Sequence, residues 1–163
     1  MNSLLKITRF INLLLLWIGG ICLGGMILLT CANIVMRQIW VPIPGTFEIM
    51  GYAGAIAAAF ALGFAQTSRS HISVDVLVNT YPRSLKRFMT LVNSGVCCLF
   101  FAIAAWYLVQ KALTLKNAGE LSETLRIIYY PVTVAVALGC LSLALTLLTD
   151  FLKVVFPPKG GAA

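Results

Sequence analysis

The chain has 163 residues, 60% of them hydrophobic and only 10% charged, with a formal net charge of +7, and its mean hydropathy is +0.95. A water-soluble domain carries about 25% charged residues, so this composition excludes a solvated surface over most of the molecule and makes lipid its solvent. Nucleic-acid binding, the common reading of a basic chain, falls with it, because no soluble face is left to present the charge.

The charges divide the chain into spans. Arg9 and Arg37 bracket 27 uncharged residues, Glu48 and Arg69 bracket 20, and Arg87–Lys111 and Arg126–Asp150 bracket 23 each. A helix needs about 20 apolar residues to cross a hydrocarbon core of about 30 Å. The expected fold class is therefore an all-α membrane protein with four transmembrane helices, over residues 10–36, 47–66, 88–113 and 129–151. Residues 1–153 then form one transmembrane domain, and 154–163, ending "FPPKGGAA", form a disordered tail. The first run follows Lys6 and Arg9, but it is far longer than the roughly 7–15 apolar residues of a cleavable leader. It is read as a span.

The first helix contains Gly20 and Gly24, a GxxxG pair that would let another backbone approach closely. Asn33, near its far end, is expected to bond to a neighbouring helix or to the headgroup layer. In "RQIWVPIPGTFE", Trp40 suits the membrane interface, while Pro42, Pro44 and Gly45 end the helix and turn the chain. Thr46 is expected to cap the second helix, with Glu48 in its first turn, where a carboxylate favours the helix dipole. Along that helix Gly51, Ala55, Ala59 and Gly63 recur every fourth residue, with Gly54 and Ala58 beside them. In lipid, apolar burial does not drive helices together, and close contact between small residues does. The ridge is therefore expected to lie buried against another helix.

"TSRSHISVDV" follows, and then "VNTYPRSLKRF". Asn79 or Thr80 is expected to cap a short interfacial helix, with Pro82 in its first turn and Arg83, Lys86 and Arg87 along one side. The third span carries Trp106 and Tyr107 toward its end. The loop "KNAGELSETLRIIYYP" leads into the fourth span, where Tyr129 and Tyr130 are belt residues and Pro131 fits the first turn. Eight of the twelve Lys and Arg residues lie with the termini and the second-to-third connection, and four lie in the other two loops. Lys and Arg are retained on the cytoplasmic side, so both termini are expected to be cytoplasmic (N-in/C-in).

Little here carries chemistry. His71 is the single histidine, with Arg69 and Asp75 near it. A catalytic pair would need a held nucleophile and an oxyanion site, a metal site would need further ligands, and a haem bundle would need a second axial histidine. Ser68, Ser70 and Ser73 are close but are ordinary loop serines, and neither further metal ligands on that face nor a second histidine is in the sequence. The spacing His71–Asp75 is i to i+4, so on a helical turn the two side chains meet, and a polar hinge at the membrane face is the favoured reading. The five cysteines all fall inside spans and read as small apolar fillers. No cofactor or metal is expected. A self-sufficient transporter places ionisable groups at the membrane midplane, whereas every ionisable residue here sits at the end of a span. A homo-oligomeric four-helix transporter or exporter, and a membrane enzyme using His71, stay open as rivals.

Arg37 after the first helix, Glu48 opening the second, "RSHISVDV" and "GELSETLRI" occur in that order on a four-span chain. In this the sequence resembles the small membrane subunit of tripartite ATP-independent periplasmic (TRAP) transporters, the DctQ-like family, over roughly residues 8–153. The resemblance implies a scaffold for a large membrane subunit that carries the substrate and sodium sites, and for a periplasmic substrate-binding protein that delivers a small organic anion. Arg37, Glu48, Arg69, His71 and Asp75 then belong to structural or subunit contacts, beside the ridge of Gly51, Ala55, Ala59 and Gly63 read from its spacing. The resemblance turns the outer loops "WVPIPGTFE" and "NAGELSETLR" toward the binding protein, with Glu120, Ser122 and Glu123 where it docks.

Overall fold

The computed structural model describes residues 2–68 and 83–155. Four helices make up nearly all of it: α1 Asn2–Ile39, α2 Thr46–Thr67, α3 Arg83–Ala118 and α4 Tyr130–Val155. All four are long and apolar enough to cross a membrane. The protein is an all-α membrane protein.

Two helices outrun their expected spans. α1 is 38 residues long and α3 is 36, which at 1.5 Å per residue is about 57 and 54 Å, well beyond a hydrocarbon core of about 30 Å. Charge marks where lipid ends, not where the helix ends. Lys6 and Arg9 lie in the opening turns of α1, and no Pro or Gly precedes them to stop it. Arg83 opens α3, so Arg83, Lys86 and Arg87 belong to the third span's own helix and not to a separate segment. The rest of the expected interfacial stretch lies outside the described residues. α4 runs to Val155, into the expected tail, whose remainder is likewise outside them.

α3 ends at Ala118, past its expected end at 113, against Gly119. Gly119 takes φ 64°; its N–H reaches the Lys116 carbonyl, and the Glu120 N–H reaches that of Leu115, each at 3.3 Å. This is a Schellman closure, which needs a residue free to enter the left-handed region.

The helices stand in a row. Among the described residues α1 packs on α2, α2 on α4 and α4 on α3, with a lesser contact of α1 on α4. α4 is the centre: half of its apolar window is buried, against 6% for α1 and 11% for α3. It can serve two sides because it carries two buried stripes, each of small and polar residues around one leucine. Gly139, Ser142, Leu143 and Thr146 form one, and Thr133, Ala137, Cys140, Ala144 and Leu147 the other, all buried. A Cβ on Gly139 would lie 2.6 Å from the Ala59 carbonyl oxygen of α2, so the two backbones are nearly touching. On the other stripe, the Cys98 thiol of α3 donates to the Ala144 carbonyl at 3.5 Å. Large apolar side chains such as Trp17, Ile21, Leu28 and Phe100 are left exposed, as suits a lipid environment.

Candidate functional site

At the end of the row that holds residues 40–45 and 119–129, two loops interlock. In the first, the Asn33 side-chain oxygen accepts the Ile43 N–H at 2.9 Å, so Asn33 braces its own chain's turn. Thr46 does not cap α2. Its hydroxyl donates backward to the Ile43 carbonyl at 2.7 Å, and the cap position is Gly45, at φ 74° with no side-chain cap bond. The sequence offers Thr at the right place, but the αL turn after Pro44 draws it one residue into the helix, with Glu48 and Ile49 bonding back to Gly45.

The second loop is a tight hairpin. Leu121 pairs antiparallel with Ile128, the Ser122 N–H donates to the Ile127 carbonyl at 2.9 Å, and the Ile127 N–H donates to Ser122 Oγ at 3.1 Å. Arg126 holds φ 52° at the bend, a region few side chains enter.

Glu48 joins the two. One carboxylate oxygen accepts the Tyr52 hydroxyl at 3.0 Å and the other accepts the Leu125 N–H at 3.1 Å. The Ser122 hydroxyl and the Thr124 backbone face the same group. Tyr52 meets Tyr129 with ring centroids 5.3 Å apart. The Leu125 side chain sits over Gly45, where any Cβ would collide with it.

This arrangement sorts the docking residues expected from the sequence. Glu120 and Glu123 are exposed on the hairpin. Ser122 is only 7% exposed; its hydroxyl oxygen accepts within the loop and the hydroxyl faces Glu48, so it holds the hairpin's shape. Its position between two exposed acids gave no sign of this. Exposed Thr124, Arg126, Leu121, Ile127 and Ile128 complete the outer face.

The small-residue ridge is split. Ala59 and Gly63 are buried, the first against Gly139 and the second against Asn12 and Ser142. Gly51 and Ala55 are exposed and line an open groove of about 420 Å³, bounded by Tyr52, Leu108 and Val136. On α1 the expected pair Gly20 and Gly24 has nothing within 4 Å, whereas Gly19 meets Ala57. The helix uses the neighbouring glycine and leaves the GxxxG face open. Arg37, in the last turn of α1, is exposed. Arg69, His71 and Asp75 lie outside the described residues.

At the opposite end the sequence reading missed a polar node. Asn12 is 0% exposed. Its amide nitrogen is 2.9 Å from Thr67 Oγ1, 2.9 Å from Thr146 Oγ1 and 3.1 Å from the Gly63 carbonyl, while Ser142 Oγ donates to its oxygen at 3.0 Å. Three helices meet there. Nearby, Gln66 reaches Asp150 at 3.4 Å. Asn12 sits three residues after Arg9 and so resembled an end-of-span residue; the usable signal was Ser142 and Thr146, polar at i and i+4 within an apolar run.

With both ends described, the chain can be set against known proteins. Residues 26–156 match the family described as tripartite ATP-independent periplasmic transporters, DctQ component. The chain belongs to this family. The match takes in both interlocked loops and the whole of α2, α3 and α4, while Asn12 lies before it. The chain is similar to the C4-dicarboxylate TRAP transporter small permease protein DctQ of Vibrio cholerae serotype O1 (strain ATCC 39315 / El Tor Inaba N16961), at 34% identity over 87 residues. That match covers 50% of this chain and 35% of the relative, so the chain spans about a third of that protein's length. No solved structure matches.

Proposed function

We propose that this DctQ-family chain braces the large membrane subunit of a TRAP-type transporter and presents the α3–α4 hairpin to a periplasmic substrate-binding protein, in sodium-coupled uptake of a small organic anion. The observation that carries this reading is the way the row of helices pairs its own polar groups. Among the described residues its buried polar side-chain atoms all have partners within the protein, so they offer a solute no free group, while small-residue faces at Gly51–Ala55 and Gly20–Gly24 are left open to another helix. The bias of basic residues supports cytoplasmic termini, which turns the hairpin toward the periplasm. A dicarboxylate-like acid is the favoured substrate class, because the similar Vibrio protein carries that name.

The test is reconstitution with the large subunit and the binding protein. Glu120→Lys with Glu123→Lys is expected to raise the binding-protein concentration needed for half-maximal transport while the membrane subunits still co-purify. An unchanged concentration dependence overturns the docking role. Vesicles that accumulate substrate with this chain alone overturn the brace, and support the self-contained transporter instead.

A further inference from the structure

We propose that Glu48 is the residue that positions the docking hairpin, so that the outer face of the α3–α4 loop keeps its shape only while this one carboxylate on a different helix holds the hairpin tip. The proposal rests on the docking role argued above and adds the element that controls it.

The bonds within the hairpin explain why an outside group is needed. Pairing of Leu121 with Ile128, and of Ser122 with Ile127, closes the stem. At the tip the chain bends through Arg126 at φ 52°, and the Leu125 N–H is turned back toward α2. Glu48, 77 residues earlier, accepts it. The two carboxylate oxygens divide the work: one is oriented from its own helix by the Tyr52 hydroxyl, and the other takes the hairpin. A carboxylate suits this better than a neutral acceptor, because charge-assisted bonds are shorter and stronger. The tip is also seated sterically. Leu125 occupies the space above Gly45 that a Cβ would fill, so the same turn that starts α2 supplies both the carboxylate and the seat. Everything on the far side of the hairpin, including Glu120, Glu123 and Arg126, is exposed. Glu48 bears on that face through the loop that it holds.

The experiment uses the assembled transporter in nanodiscs, with amide exchange at Leu125 and Ile127 read beside transport against binding-protein concentration. Glu48→Ala is expected to speed Leu125 exchange about tenfold, the effect of losing one charge-assisted bond, and to raise the half-saturating concentration of the binding protein. Glu48→Gln keeps an oxygen for the Leu125 N–H and is expected to restore most of both. Unchanged Leu125 exchange in Glu48→Ala, or no difference between the Ala and Gln variants, overturns the positioning role. The docking role fails separately: if Glu120→Lys with Glu123→Lys leaves half-saturation unmoved while Glu48→Ala still frees Leu125, the latch stands and the docking surface lies elsewhere. Should Glu48→Ala fail to assemble, Glu48→Asp draws the carboxylate back by one methylene from the Leu125 N–H and is expected to speed exchange at Leu125; unaltered exchange there overturns the proposal equally.

Discussion

Replacing Asn12 by Ala should cost the isolated chain about 2 kcal/mol. Its amide has two protons for three acceptors, so the contacts to Thr67, Thr146 and the Gly63 carbonyl share them. The two threonines can accept because their own protons are spent, Thr67 on the Gly63 carbonyl and Thr146 on the Ser142 carbonyl, each at 2.9 Å. Removing the amide therefore leaves both hydroxyls bonded. Ser142 loses its acceptor but can rotate to the carbonyl one turn back in its own helix. No buried donor is orphaned, so the larger penalty for an unsatisfied group does not apply. What is lost is four contacts, and interhelical hydrogen bonds in membranes average about 0.6 kcal/mol each, which brings the sum to about 2 kcal/mol. For a chain of this size that is a shift of roughly 4–8 °C in the melting temperature. The assay is a reversible thermal melt in nanodiscs, with Thr146→Val as partner in a double-mutant cycle. The cycle should show a non-additive term, since the two side chains touch. A shift below about 1 °C for Asn12→Ala, or strict additivity with Thr146→Val, would refute the view that this node ties three helices together.

Two other substitutions probe the packing and the turn. Gly139→Val places a branched side chain where even a Cβ would stand 2.6 Å from the Ala59 oxygen. It should destabilise by about 2–3 kcal/mol, whereas Gly20→Leu, with nothing within 4 Å, should leave the isolated chain's melt unchanged. Equal melts for the two would show that α2 and α4 do not approach as closely as they stand here. Gly45→Ala meets both a φ of 74° and the Leu125 side chain, so Leu125 amide exchange should accelerate while α2 stays helical; exchange identical to the native chain would remove Gly45 as the seat.

Some of this was legible because a membrane makes certain sequence features nearly absolute. Charges cannot sit in hydrocarbon without large cost, so their spacing fixed four spans. Pro42, Pro44 and Gly45 could only be a turn. The order of Arg37, Glu48, "RSHISVDV" and "GELSETLRI" pointed to the family that residues 26–156 then matched. Where each helix stops was less legible, because nothing in the opening turns of α1 or α3 forbids the helix from continuing past the lipid.

The sequence alone determined how many times the chain crosses and where it turns; the tertiary structure alone decided which faces meet. In water, an apolar stripe announces the buried side of a helix. In lipid both sides are apolar, so periodicity names no partner and contact is chosen by the fit of small residues. That is why Gly19 packs while Gly20 and Gly24 stay open, and why one ridge on α2 is buried at Ala59 and Gly63 but exposed at Gly51 and Ala55. The polar contacts follow the same logic at longer range. Asn12 finds Thr146 across 134 residues and Glu48 finds Leu125 across 77, and only a folded row brings such pairs within a hydrogen bond.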